Sequence, residues 1–160
     1  MQEMVIYGVS FDLVGKQPIV LLKTADGNKF LPIWIGHPEA AAILMKLQGA
    51  ATPRPMTHDL FTEMLTQLEA RVVRIAVTEL KENTFYASIT VQQDGSEIEI
   101  DSRPSDAIAL AVRYEETVPI FADEAVLEEA GVLFENDEEE EQIEQFREFL
   151  DQVRPEDFAQ

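Results

Sequence analysis

A turn, a strand and a helix follow one another in residues 94–111, whose sequence is DGSEIEIDSRPSDAIALA. Asp94-Gly95 is a dipeptide typical of hairpin turns, because both residues tolerate a positive φ. Residues 97–101 alternate strictly between acidic and apolar side chains, which predicts a β-strand. Pro104 can open a helix, and residues 106–113 are mostly apolar on every face. We therefore predict a β-hairpin that leads into a buried helix.

The first part of the chain repeats this plan. Asp26-Gly27 is predicted to supply the positive-φ turn of a hairpin, and Pro38 to open a helix over residues 39–48. The helix starts with an acid in both copies, Glu39 in the first and Asp106 in the second. The predicted strands cover residues 4–13, 18–23 and 29–35, and then residues 72–80, 84–92 and 97–101. This matching order indicates an internal duplication of a β-β-β-α unit, offset by 67 or 68 residues.

Two further segments complete the predicted fold. Thr57 is a suitable N-cap for a helix with Asp59 in its first turn, and the helix has an apolar stripe of Leu60, Phe61, Met64, Leu65 and Leu68. Residues 118–121 add a short strand, and residues 123–129 form a helix or a turn. Because runs of strands are interrupted by few helices, we predict an α+β fold: a compact single domain with mixed or antiparallel sheets.

The charge is distributed unevenly along the 160 residues. The chain has 12 basic and 31 acidic residues, a net charge of −19, and residues 123–160 hold 15 of the acids but only 2 of the bases. The acidic run at residues 135–141 predicts a solvated linker. Beyond it, Ile143, Phe146, Leu150 and Val153 predict a short amphipathic helix that docks on the domain or on a second subunit. We therefore divide the chain into a domain of residues 1–122 and an acidic helical tail of residues 123–160.

Several classes of protein are excluded by composition. The chain has no cysteine, which excludes disulfides, a thiolate nucleophile and cysteine-built metal centres. It has no apolar run of the roughly 20 residues that a membrane helix needs, and its first residues lack the basic start of a signal peptide. We expect a soluble, cytoplasmic protein without membrane contact. Its negative charge argues against strong binding of a polyanion.

Candidate functional residues concentrate in two polar stretches, Arg54-Pro55-Met56-Thr57-His58-Asp59 and Asp101-Ser102-Arg103-Pro104-Ser105-Asp106. Both lie where a loop enters a helix, and the start of a helix offers free N–H donors and a partial positive charge to phosphate. The common phosphate-loop, nucleophile-elbow and zinc-protease motifs are absent from the sequence.

Each candidate also has a structural interpretation. Asp59 and Asp106 can serve only the helix dipole, and Arg54 and Arg103 can pair with carboxylates instead of phosphate. Ser105 fits a cap or turn hydroxyl better than a nucleophile. His58 is either a surface residue at a helix start or a general acid/base or metal ligand.

A shared functional role for these residues is better supported if the two halves of the domain place them in one site. Asp59, Asp101 and Asp106, with Glu39 as a possible fourth, are then able to bind Mg²⁺ or Mn²⁺, which activates water and offsets phosphate charge. The two arginines are suited to bind the oxygens of a phosphodiester. Convergence of these residues is the hypothesis that the structure has to test.

The same stretches resemble the bifunctional nuclease family. The resemblance extends over residues 5–122 and is carried by Leu31-Pro32-Ile33-Trp34-Ile35-Gly36, Glu39-Ala40, residues 54–60, Thr84-Phe85-Tyr86-Ala87 and residues 101–111. It implies activity on both DNA and RNA, a compact α+β domain and a tendency to dimerise. The polar residues at matched positions are Arg54, His58, Asp59, Asp101, Arg103, Ser105 and Asp106. Ser102 departs from the family pattern, where a small alanine is expected.

Our sequence-based hypothesis is a metal-assisted nuclease for DNA and RNA. It assigns catalysis to His58, Asp59 and Asp106, substrate binding to Arg54, Arg103 and Ser105, and divalent-metal binding to Asp59, Asp101 and Asp106. The alternative is a non-enzymatic, dimeric binding or regulatory module in which buried Arg–Asp pairs hold the halves together. In both interpretations we expect a homodimer, and in the first we expect weak binding of nucleic acid.

Overall fold

The computed structural model describes residues 1–11 and 15–133 of the chain. Within them the helices are α1 (His37–Leu47), α2 (Thr57–Gln67), α3 (Pro104–Ala111) and α4 (Glu124–Ala130). The strands are β1 (Gln2–Phe11), β2 (Pro18–Thr24), β3 (Lys29–Trp34), β4 (Ala70–Lys81), β5 (Thr84–Gln93), β6 (Ser96–Ser102), β7 (Ile120–Ala122) and β8 (Val132–Leu133).

All eight strands belong to one mixed sheet. Their order across the sheet is β6-β5-β4-β7-β1-β2-β3-β8. Neighbouring strands are antiparallel in every described pair but one, since β4 and β7 run parallel. The predicted α+β class with a mixed sheet in a single domain is confirmed.

Each half of the domain contributes an antiparallel meander of three strands, β1-β2-β3 and β4-β5-β6. The central strand β7 joins them, because it pairs with both β1 and β4. Helix α1 follows the first meander and α3 follows the second. The order of elements in the two halves therefore matches the prediction, while a common origin by duplication stays a prediction.

The two Asp-Gly turns differ in conformation. Asp94 and Gly95 both have a positive φ, 51° and 78°, and form the predicted two-residue turn between β5 and β6. The prediction for Asp26-Gly27 is wrong, because neither residue is among those with a positive φ. The loop between β2 and β3 has four residues, and loops of that length are usually built around a turn that needs no positive φ.

The core lies between the sheet and the helices that follow the meanders. Seven of the eight residues of α3 are buried, and α3 packs against α1, α2, β4 and β5. Helix α1 contributes Ala40, Ile43 and Leu44 to the same cluster. Helix α3 is covered on nearly every side, as its apolar sequence predicts, whereas α1 is buried only in part and leaves Leu47 44% exposed.

Helix α2 differs from its prediction at its start and in its burial. Its N-cap is Met56, and Thr57, the predicted cap, is the first helical residue. The Met56 N–H donates to Asp59 Oδ2 at 2.9 Å, which is the bond that an acid at the third helical position makes to the N-cap in a capping box. No residue of α2 is fully buried, although its apolar stripe is present. Only part of the apolar stripe of α2 therefore packs against the rest of the domain.

The segment that we assigned to the tail begins within the packed domain. Val126 and Leu127 of α4 are buried, and β8 pairs with β3 at the edge of the sheet. Residues 134–160, with the predicted linker and amphipathic helix, lie outside the described residues. None of the helices in the described part of the chain has the length and apolar character of a membrane span.

Candidate active site

An open cleft of about 880 Å³ lies between α1, α2, α3 and the strands β5 and β6. Its apolar lining includes Met45, Met56, Phe61, Ile89, Ile100 and Leu110. Its charged and ionisable lining consists of Glu39, His58, Asp101, Arg103, Asp106 and Arg113. The starts of the three helices meet here, so the two polar stretches of the sequence contribute to one cleft.

A histidine–carboxylate pair occupies the cleft. His58, in the first turn of α2, lies with Nε2 2.9 Å from Oδ1 of Asp106, in the first turn of α3. The two side chains are 14% and 33% exposed. When His58 is neutral and its Nε2 carries the proton, Nε2–H donates to Asp106 and Nδ1 is the basic nitrogen. A carboxylate that holds a histidine in one orientation and tautomer is a common arrangement for proton transfer.

Arg103 connects this pair to α1. As the N-cap residue of α3, it donates from Nε to Asp106 Oδ2 at 2.8 Å and from Nη1 to Glu39 Oε1 at 3.2 Å. Glu39 and Asp106, the acids at the starts of the two equivalent helices, therefore share one guanidinium. Gly36 makes room for Glu39, since a Cβ at position 36 would collide with the Glu39 carboxylate. The Arg103 side chain is 63% exposed, which leaves donors directed to solvent.

The charges around Asp106 favour its ionised form. Burial by itself raises the pKa of the Asp106 carboxyl, but the hydrogen bonds and positive charge of Arg103 and His58 bring the pKa below its ordinary value. Asp106 is therefore an anion near neutral pH and is suited to orient His58 and to stabilise a proton on it.

Asp59 belongs to a different set of contacts. Arg113, whose side chain is only 4% exposed, donates from Nε to Asp59 Oδ1 at 2.8 Å. The same guanidinium donates to the carbonyl oxygens of Ala109 at 2.6 Å and Ala42 at 3.2 Å. Arg113 thus ties α2 to α3 and α1 through one buried group. Lys46 Nζ lies 3.8 Å from Asp59 Oδ1.

These contacts lower the pKa of Asp59. Burial by itself raises it, whereas the Met56 N–H, Arg113 and Lys46 together bring it below its ordinary value. The geometry is that of the buried Arg–Asp pair which the alternative interpretation of the sequence required. Sequence reasoning missed Arg113, although a lone arginine at the end of an apolar helix is a signal for a buried partner.

Other predicted residues are placed around a second cavity or outside both. Arg54 and Asp59 line a neighbouring cavity of about 470 Å³, which meets the cleft at Met45, Met56 and Arg113. Ser105 is 5% exposed and is not part of the lining of either cavity. The structure therefore brings together His58, Asp101, Arg103, Asp106 and Glu39, and places Arg54, Asp59 and Ser105 elsewhere. The roles assigned to all of them stay predictions.

The predicted ligands do not form a metal centre in this arrangement. Among residues 1–11 and 15–133, no group of three or more His, Asp or Glu side chains is placed to hold a metal ion. Asp59 is held by Arg113 and Lys46, and Asp106 by Arg103 and His58. A metal ion that binds either carboxylate has to compete with these basic side chains. Dependence on Mg²⁺ or Mn²⁺ stays a prediction.

Comparisons with known proteins agree on one family. The model of the bifunctional nuclease domain matches residues 20–135. An uncharacterised protein of Mycobacterium tuberculosis is 42% identical over 166 residues, which cover 99% of this chain and 98% of that protein. Bifunctional nuclease 1 of Oryza sativa subsp. japonica is 30% identical over 98 residues, and bifunctional nuclease 1 of Arabidopsis thaliana is 28% identical over 100 residues. The matched segments cover 59% and 60% of this chain, and 30% and 31% of the two plant proteins.

Proposed function

The chain belongs to the bifunctional nuclease domain family, and from this premise we propose that it is a nuclease that hydrolyses phosphodiester bonds of DNA and RNA. The observation that carries the proposal is the His58–Asp106 pair, 2.9 Å apart in an open cleft beside an exposed arginine. The names of the plant relatives support nuclease activity as the proposed function. The His58–Asp106 pair is suited to the proton transfer that hydrolysis of a phosphodiester requires.

His58 and Asp106 act together on the attacking water. Nδ1 of neutral His58 accepts a proton as the water oxygen forms its bond to phosphorus. Asp106 holds Nε2–H and stabilises the imidazolium that results. The bond from phosphorus to the leaving sugar oxygen then breaks, and that oxygen takes up a proton from His58 or from solvent. The products are a phosphomonoester and a hydroxyl group.

Arg103 binds the phosphate in this proposal. Its guanidinium is held on one side by Asp106 and Glu39, while most of the side chain is exposed. Donors that are fixed before the reaction stabilise the negative charge that accumulates on the phosphate oxygens in the transition state. Arg54, in the neighbouring cavity, is suited to a phosphate farther along the strand.

The partner proposal is a homodimer formed through α2. Leu60, Met64 and Leu68 form one row of the helix and are 51%, 53% and 61% exposed. A row of large apolar side chains on an exposed helix is a typical surface for a second helix of the same kind. A non-enzymatic dimeric module remains the competing function, and the net charge of −19 and the structural pair Asp59–Arg113 favour it.

The decisive experiment measures cleavage of fluorescent single- and double-stranded DNA and RNA by the wild type, His58→Ala and Asp106→Asn. Each reaction is run with Mg²⁺, with Mn²⁺ and with EDTA, which also tests the predicted metal dependence. Loss of general acid/base catalysis is expected to lower cleavage by about 10²–10⁴-fold in both variants. Asp26→Asn, in the exposed loop between β2 and β3, is purified identically and is expected to cleave like the wild type.

The controls separate this enzyme from a contaminant. Thermal melting establishes that each variant is folded under the assay conditions. Equal cleavage by all four preparations indicates a contaminating nuclease, and that result, or no cleavage by any of them, favours the binding module instead.

A further inference from the structure

The floor of the active-site cleft presents apolar side chains to solvent. Phe61 of α2 is 53% exposed and Ile100 of β6 is 46% exposed, and both line the cleft that contains His58 and Asp106. Ile89 of β5, the neighbour of Ile100 in the sheet, and Leu110 of α3 also line the cleft, although both are buried. A nuclease that holds only the phosphate backbone has no use for an aromatic ring beside its reacting groups.

Charge in and around the cleft is too weak to hold a long duplex. Non-specific binding of duplex DNA comes almost wholly from the phosphates that lysine and arginine neutralise. In the cleft, the exposed arginine, Arg103, is already paired with Glu39 and Asp106, and Arg113 is buried against Asp59. Residues 1–122 carry 16 acidic and 10 basic residues, a net charge of −6. Most of the binding energy therefore has to come from contacts other than those with phosphate.

We infer that the cleft binds an unpaired nucleobase, so that the protein acts on single-stranded DNA or RNA in preference to duplex. The base lies against Phe61 and Ile100, and the adjacent phosphate reaches Arg103. The faces of a base in a duplex are covered by its neighbours, whereas a base in a single strand can stack on an aromatic side chain at little cost. This inference rests on the proposed function for its phosphate position, but base binding can be measured without cleavage.

The test is fluorescence anisotropy with a labelled 12-nucleotide DNA of mixed sequence, the same sequence as RNA, and the DNA annealed to its complement, all in EDTA. The wild type is expected to bind both single strands at least about tenfold more tightly than the duplex. Phe61→Ala is expected to weaken single-strand binding by about five- to a hundredfold, the loss typical of removing one stacking side chain. The control is Trp34→Ala, which removes an aromatic ring that is 49% exposed outside the cleft and is expected to change affinity less than twofold.

Salt dependence is a second readout. Each phosphate that is neutralised on a single strand contributes about −0.7 to the slope of log K against log salt concentration. With one phosphate at Arg103 and one at Arg54, the expected slope is about −1.5 or shallower. A slope of −3 or steeper would mean that the backbone supplies the affinity, and this would overturn the inference.

The outcomes separate this inference from the proposed function. Single-strand binding that depends on Phe61, without cleavage in any metal, supports the base site and contradicts the nuclease. Cleavage of duplex and single strands at equal rates, with Phe61→Ala as active as the wild type, retains the nuclease and overturns the base site. Equal effects of Phe61→Ala and Trp34→Ala, or no binding of any strand by the wild type, also overturn it. Thermal melting of both variants ensures that a loss of affinity is not a loss of fold.

Discussion

His58 and Asp59 are neighbours in sequence but take part in different contacts. Successive residues of an α-helix point about 100° apart, so two adjacent side chains in the first turn of α2 face different partners. His58 meets Asp106 in the cleft, and Asp59 meets the buried Arg113. Sequence reasoning placed both residues in one catalytic set. Packing places them around different cavities.

We predict that Asp59→Asn lowers stability more than activity. The change leaves the Arg113 guanidinium, 4% exposed, without its counter-charge. Removing one partner of a buried pair typically costs about 3–5 kcal/mol. Because Asp59 is 23% exposed, we expect somewhat less, about 2–4 kcal/mol in the free energy of unfolding. Urea denaturation at pH 7 measures it. Glu63→Gln, on the exposed part of α2, is the control and is expected to change the free energy by less than about 0.5 kcal/mol.

The same variant also tests the role of Asp59 in catalysis. After correction for the folded fraction, Asp59→Asn is expected to retain cleavage within about tenfold of the wild type, because Asp59 lies outside the cleft lining. A variant as stable as the wild type that cannot cleave nucleic acid would return Asp59 to the catalytic set.

At the scale of the element, α2 differs from the other described helices, because none of its residues is fully buried. Leu65, partly buried, packs against the core, while the neighbouring row of Leu60, Met64 and Leu68 faces outward. Helices α1 and α3 were the other apolar helices of the sequence, and both are used for the core. This row is the surface on which we place the proposed dimer contact.

We predict that the protein sediments as a dimer and that Leu60→Glu combined with Met64→Glu converts it into a monomer. Two carboxylates buried in an apolar helix contact have no partner charge and cost more than the contact contributes. Sedimentation velocity measures the mass. Trp34→Glu introduces one carboxylate at an exposed apolar residue on β3 and is expected to leave the dimer intact. A wild type that sediments as a monomer over the accessible concentration range would contradict the proposed dimer.

The two Asp-Gly dipeptides show how far a turn motif determines an element. Both join antiparallel strands, as predicted, but only Asp94-Gly95 adopts the positive-φ conformation. Between β2 and β3, Thr24 and Lys29 close a loop of four residues, and the Thr24 hydroxyl lies 3.3 Å from the Lys29 N–H. The motif predicts that the chain turns. Where the strands stop pairing decides how many residues the turn contains.

For the whole molecule, the two carboxylates with lowered pKa values make stability depend on pH. The pKa values of Asp59 and Asp106 lie below the ordinary carboxyl value in the folded protein. Below about pH 4, the unfolded chain therefore binds more protons at these two positions than the folded chain does. Their contribution to stability is complete above that pH and is lost as the pH falls through the lowered pKa values.

We predict that the free-energy difference between the wild type and Asp59→Asn is constant from pH 7 to about pH 5 and shrinks toward zero below about pH 4. The comparison isolates one carboxylate, because the other acidic residues are common to both proteins. Urea unfolding at several pH values measures the difference. A difference that persists at low pH would show that Asp59 contributes through packing instead of charge.

Several features of this protein follow from its sequence alone. The period of the apolar residues, the prolines and the acids at helix starts predicted α1, α3 and both meanders, since these signals act between residues close together in the chain. The same residues predicted the family, which the matched domain model confirms. The predicted N-cap of α2 was wrong by one residue, since the helix begins at Thr57 and the N-cap is Met56, whose N–H donates to Asp59.

Only the tertiary structure decided which charges meet. Residues 58 and 106 are 48 positions apart, residues 59 and 113 are 54 apart, and residues 39 and 103 are 64 apart. The pairing of Arg103 with Asp106 is local, since the two residues are three positions apart at the start of α3. No local pattern predicts that Asp59 pairs with Arg113, because that contact depends on how α1, α2 and α3 pack on the sheet. The sequence by itself determined which polar groups stand at the starts of the helices. Helix packing decided that His58, Asp106 and Arg103 share the cleft, while Asp59 and Arg113 hold it together.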